Sequence, residues 1–168
     1  MKLQVPYLPF DGMNEHGLAI GMAAVPESTL PHDANKPAID SLAVIREILD
    51  HARTVDEAVG ILGKYNIEWG SGPALHYLIA DSMSNSVLVE FFEGNMVTLQ
   101  ERLTKGGGEL SLPDAERPQA HLLTDVSQAG NNPTQWSVIY GISTGEIDIV
   151  MGHIYEVRHN FRFPLTGK

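Results

Sequence analysis

Two textures of apolar residue alternate along this chain. From Leu18 to Val25 (LAIGMAAV) the run is continuously apolar with no helical stripe, which predicts a strand covered on both faces. In SLAVIREILDHA, by contrast, Leu42, Ile45 and Leu49 recur at helical spacing, and Val44 and Ile48 widen the stripe. That pattern predicts a helix over 41–52, entered from Asp40. Thr54-Val-Asp-Glu57 is a capping box, and Val55, Ala58, Val59 and Leu62 give the following segment an apolar face, so a second helix is expected over 55–64. Pro26 to Pro37 reads as a loop from its three prolines.

From Leu75 the period changes. LHYLIA, VLVEFF and MVTL, separated by DSMSNS and EGN, read as a three-strand meander, with strands at 75–80 and 87–92. ERLTKGGGELSLPDAERPQAHLLTDVSQ returns to helical character around Gly106 to Gly108, with Ser111 a candidate cap and Pro118 a kink or restart. TQWSVIYGI, IDIVMG and HIYEVRHNFRFPL form a second meander, with strands at 135–142 and 146–151. Strand, two helices, strands, helix and strands, without regular βα alternation, predict an α+β fold of largely antiparallel sheets with both early helices on one outer face.

Length and charge narrow the function classes. The 168 residues suit one domain, 43% of them are hydrophobic, and no window of about 18 apolar residues could cross a bilayer. The formal net charge of −10 disfavours a nucleic-acid partner, whose binding is driven by Lys and Arg. No secretory signal is visible at Met1-Lys2, and a cytoplasmic location is expected. With no cysteine, the chain offers no disulfide, no thiolate metal site and no thiol nucleophile.

Other chemistry is sparse. No two of the seven histidines stand at the i, i+4 spacing of a zinc helix, and His153 and His159 lie about 20 Å apart on a regular strand, too far to share an ion. There is no G-x-S-x-G elbow, and Gly106 to Gly108 lack the following Lys-Ser/Thr of a phosphate loop. Glu90, among apolar strand neighbours, fits a paired structural role as well as acid/base work. In DGMNEHGL, Gly12 and Gly17 permit unusual backbone geometry, Asn14 can bond its own backbone, and Glu15 can accept nearby N–H groups. This could be a self-bonded turn or the edge of a site.

DGMNEHGLAIGMAAVP closely resembles the GMNE-x-GL segment of the linear amide C–N hydrolases, the choloylglycine hydrolase-like group that includes penicillin V acylases and isopenicillin-type acyl-transferases. ARTVDEAVGILGKYNI, LHYLIADSMSNSVLVEF and PTQWSVIYGISTGEIDIV resemble three further blocks of that family, in the family's order. The resemblance implies the N-terminal-nucleophile fold, an αββα sandwich of antiparallel sheets. It also implies an N-terminal cysteine that attacks an amide carbonyl with its own α-amine as base, and no cofactor or metal. The chain begins Met1-Lys2 instead, so no residue is identifiable as the nucleophile.

Two further departures follow from the resemblance. Counting from Asn14, the family's oxyanion asparagine falls on Ala24, which has no side-chain donor. The family's TN segment is also missing, since Gln100 runs almost directly into ERLTKGGGELS. The expectation is therefore a single partial domain over 1–168, lacking the nucleophile-bearing strands. Asn14 and Ala24 would lie near the pocket and a small acyl amide would be the substrate. Exposed sheet edges should drive homo-oligomerisation or pairing with the missing segment. The alternatives are a non-catalytic remnant or binding subunit of the same fold, and an unrelated Ser/Thr hydrolase.

Overall fold

The computed structural model describes residues 8–25, 28–102, 136–151, 154 and 156–166. The expected helical region around Gly106 to Gly108, with Ser111 and Pro118, lies outside the described residues, as do Met1, Lys2, His121 and His153. The remainder is α+β. One sheet has five strands in the order β1 (Asp11–Met13), β2 (Ala19–Val25), β5 (Ala74–Ala80), β6 (Asn85–Phe92) and β7 (Asn95–Arg102), all antiparallel. A second sheet has β8 (Trp136–Gly141) and β10 (His159–Arg162) flanking β9 (Glu146–Met151), also antiparallel.

Both early helices form where the apolar stripe and the caps coincide. For α1 (Ala43–His51), the Asp40 carboxylate accepts from the Leu42 and Ala43 N–H groups at 2.8 and 3.3 Å, quenching donors that the first turn leaves unpaired. For α2 (Val55–Leu62), the Thr54 hydroxyl accepts from Glu57 N–H at 3.2 Å and the Glu57 carboxylate reaches back to Arg53 N–H at 2.7 Å. Val44, Ile45 and Ile48 of α1 and Val55, Ala58 and Leu62 of α2 pack on one face of the large sheet. That face supplies Ile20, Tyr77, Ile79, Val87 and Val89, each no more than 1% exposed.

The structure departs from the sequence reading at short elements. Asp11 to Met13, read as part of a turn, is a strand that folds onto Gly21 to Ala19. Three residues are too few to show alternation. β3 (Ala38–Asp40) and β4 (Asn66–Glu68) form a separate parallel pair, because the helical hairpin between them carries the chain back in the same direction. Strand β2 is covered on both faces only in its first half, since Ala23 and Ala24 are exposed. Among the described residues of HIYEVRHNFRFPL, His159–Arg162 is strand, after turn contacts Ile154 N to Met151 O and Val157 N to Ile154 O at 3.2 and 3.0 Å.

Buried polar side chains fasten the turns. Asn66 donates to the carbonyls of Asp33 and Lys36, both at 2.8 Å, and accepts from Asp33 N–H at 2.9 Å, which ties the Pro-rich loop to β4. Asp81, 1% exposed, accepts from Met83 and Asn85 N–H at 2.9 and 3.1 Å and from Val55 N–H at 3.1 Å. One carboxylate thus closes the β5–β6 turn and caps α2. Asp81→Ala would orphan several buried donors and should destabilise the fold by about 2–4 kcal/mol in urea unfolding. A loss under about 0.5 kcal/mol would mean that water replaces the carboxylate at no cost.

Candidate functional site

The turn between β1 and β2 is built around Asn14, which is 7% exposed. Its Oδ1 accepts from His16 and Leu18 N–H at 3.0 and 3.1 Å, and the backbone adds Asn14 N to Leu18 O and Gly17 N to Asn14 O, both 3.0 Å. Its Nδ2 donates to the carbonyls of Leu49 and Ala52 at 3.1 and 2.7 Å, groups that the end of α1 would otherwise leave bare. Every donor and acceptor of this amide is spent on the fold. The turn is held from two other sides. Thr166 N donates to Glu15 O at 2.7 Å, and a Cβ on Gly17 (φ +76°) would stand 2.2 Å from the Ile142 carbonyl oxygen of the β8–β9 turn. Only glycine fits there.

Beside this turn, β8 crosses the face of the large sheet opposite the helices. Asp11 of β1 meets it: the Tyr140 hydroxyl donates to Asp11 Oδ1 at 2.7 Å and Trp136 Nε1 lies 3.4 Å from Oδ2. The Trp136 ring also stands edge-on to Phe10, with centroids 6.2 Å apart. Under this bridge is a cleft of about 280 Å³ floored by Ala19, Gly21, Leu78 and Ala80 and roofed by Val138. Burial, then the hydrogen bond and charge of Asp11, raise the Tyr140 hydroxyl above its usual range, so it stays a neutral donor. Burial raises Tyr77 likewise, whose hydroxyl donates to Ser41 O at 3.0 Å.

Asn14 and Ala24, the two positions expected near a pocket, are not brought together. Asn14 sits inside the turn with no group left for a ligand, whereas Ala24 is exposed about 20 Å along the strand direction from Leu18. Glu90 has a partner, His76, with Nδ1 to Oε1 at 3.5 Å on the sheet face away from the helices. The Asp11, Trp136 and Tyr140 cluster escaped the sequence reading because 125 and 129 positions separate its members and no local spacing marks them. Among the described residues, no group of three or more His, Cys, Asp or Glu side chains could hold a metal, and no helix is long and apolar enough to cross a membrane.

Two outcomes follow from this geometry. Asn14→Ala should cost about 2–4 kcal/mol in denaturant unfolding, since it bares two helix-end carbonyls and two N–H groups; a loss within about 0.5 kcal/mol would deny the turn its structural role. A native tyrosine pKa raised above its unfolded value near 10 gives stability that is whole below that pH and lost as pH rises beyond it. Unfolding free energy should therefore fall between about pH 9 and 11, and Tyr140→Phe and Tyr77→Phe should each flatten the fall. An unchanged slope in both variants would contradict the assignment.

Comparison with known proteins agrees with this fold. The chain is 35% identical over 98 residues to a penicillin V acylase of Pectobacterium atrosepticum, an alignment covering 52% of this chain and 26% of that protein. It thus spans about a quarter of the length of that curated relative. Among solved structures, penicillin V acylase from Agrobacterium tumefaciens aligns with 71% of the chain and 37% of its own, at 29% identity and a TM-score of 0.47. A mutant of conjugated bile acid hydrolase from Clostridium perfringens aligns with 91% of the chain and 72% of its own, at 15% identity and a TM-score of 0.62, which shows a shared fold. That shared fold is α+β with antiparallel sheets. Residues 9–105, more than half of the sequence, match the model of one family, and the chain belongs to it: the acyl-coenzyme A:6-aminopenicillanic acid acyl-transferase family.

Proposed function

We propose that this chain is the scaffold of an enzyme that hydrolyses, or transfers the acyl group of, a linear amide, with the attacking nucleophile supplied by residues outside these 168. The observation that carries the reading is the family match over 9–105 in a chain without cysteine. In this chemistry a thiolate adds to the amide carbonyl and the departing nitrogen takes a proton. Water or an amine then receives the acyl group. An α-amine titrating near pH 8 can serve as base without any histidine. The oxyanion formed on attack needs preorganised donors. Asn14 has none to spare, and Ala24 has no side-chain donor, so these donors too would come from backbone N–H groups or from the added segment.

The same two residues favour a second reading, a non-catalytic subunit that keeps the fold and contributes an interface. A cysteine-led segment or a second copy of the chain is the partner in either case. A cytoplasmic location belongs to the same proposal. The 168-residue chain, its mass verified, should turn over neither penicillin V nor a conjugated bile salt, and should not acylate 6-aminopenicillanic acid from an acyl-coenzyme A. Adding the cysteine-led N-terminal segment of a penicillin V acylase, in cis or as a separate peptide, should restore turnover, and replacing that segment's leading cysteine with alanine should abolish it. Activity of the chain alone would overturn the proposal. Inactivity with a segment that demonstrably binds would favour the non-catalytic subunit.

A further inference from the structure

The cleft between β2 and β8 has a use that amide chemistry does not assign to it. At its mouth the Asp11 carboxylate is touched by two neutral groups, the Tyr140 hydroxyl and the Trp136 indole N–H, and among the described residues no Lys, Arg or His side chain forms an ion pair with it. A carboxylate has about four lone-pair positions, so two contacts leave room for further donors. The aromatic rings of Trp136 and Tyr140 line the same cleft, and aromatic faces attract cations. The chain's net charge of −10 adds a field of the same sign.

Behind the carboxylate the surface is apolar, and it continues. Strand register sets Asp11, Gly21, Leu78 and Leu88 in one row across the sheet, and Leu99 extends it on β7. At about 4.8 Å per strand the row is about 19 Å long. Leu78 is 58% and Leu99 53% exposed, and a second hollow of about 270 Å³ lies over Leu78, Leu88 and Leu99, so Leu78 is shared by both hollows. Gly21, with only Asp11 Cβ near its own Cβ position at 3.9 Å, leaves the floor of the cleft open.

We infer that this cleft binds an organic ammonium ion with an unbranched apolar tail, the head on Asp11 between the Trp136 and Tyr140 rings and the tail over Leu78 toward Leu99. The head would donate to the free lone pairs of Asp11. The tail would cover the leucines now facing solvent. Neither contact depends on the proposed amide cleavage.

The test is an NMR titration of the full 168-residue chain with octylammonium, octanol and octanoate, read at the Trp136 indole N–H. Octylammonium should shift that resonance saturably, with octanol and octanoate binding at least tenfold more weakly. Affinity should rise from hexyl- to octyl- to decylammonium by up to about fourfold per methylene, the figure for full burial. Asp11→Asn should lower octylammonium to the level of octanol. Gly21→Val, which keeps the carboxylate and favours the strand, should block all three by filling the floor. Equal affinity for octanol and octylammonium, an unaltered affinity in both variants, or no shift up to the solubility limit would overturn the inference.

Discussion

The hydrogen bonds from the Asn14 side chain to the carbonyls of Leu49 and Ala52 are the constraint on which the described architecture depends. They join the β1–β2 turn of the large sheet to the end of the helix packed on it. Once they form, β1 must fold back on β2, and α1 must end where the sheet begins. Ile45 and Ile48 are thereby held over Ile20 and Tyr77, all within a single buried cluster. An aspartate there would offer no donor to the two carbonyls, and an alanine would offer nothing. Asn66 and Asp81 repeat the device at the loop before β3 and at the start of α2. Three buried polar side chains do what hydrophobic burial, being non-directional, cannot: they fix where each element starts and stops.

The two faces of the five-stranded sheet then take different parts. Alternation along β2, β5 and β6 sends Ile20, Tyr77, Ile79, Val87 and Val89 into the helical layer, where they are sealed. The other residues of the same strands, among them Gly21 and Leu78, face the side where Trp136, Val138 and Tyr140 of β8 meet the cleft and Asp11. The sealed face accounts for the fold. The open face holds the cleft, the His76–Glu90 pair and the exposed Leu78 and Leu99.

Much of this was legible in the sequence where a physical period ran long enough to be seen. The stripe of Leu42, Ile45 and Leu49, the Thr54 to Glu57 box and the alternation of 75–80 and 87–92 each mark an element that lies within two residues of its expected bounds. Strands of three residues, such as β1, β3 and β4, carry no period, and their pairing is decided by partners far along the chain. The site was read less well for a similar reason. Asn14 is visible as a turn residue, but the destination of its amide, 35 to 38 positions away, is a tertiary fact. Asp11 stood in the motif that identified the family, yet nothing near it in sequence announces Tyr140 or Trp136.

A family signature in this chain is thus first a structural fastening. Native-state hydrogen exchange tests that claim most directly, because amides that open only with the whole molecule report a shared cooperative unit. The account predicts that Leu18 N–H, bonded to Asn14 Oδ1, and the Asn14 side-chain amide protons exchange as slowly as Tyr77 and Ile79 N–H in the core strand, with the same dependence on denaturant. If Leu18 and Asn14 exchange while Tyr77 and Ile79 remain protected, the turn opens on its own and does not hold the fold together.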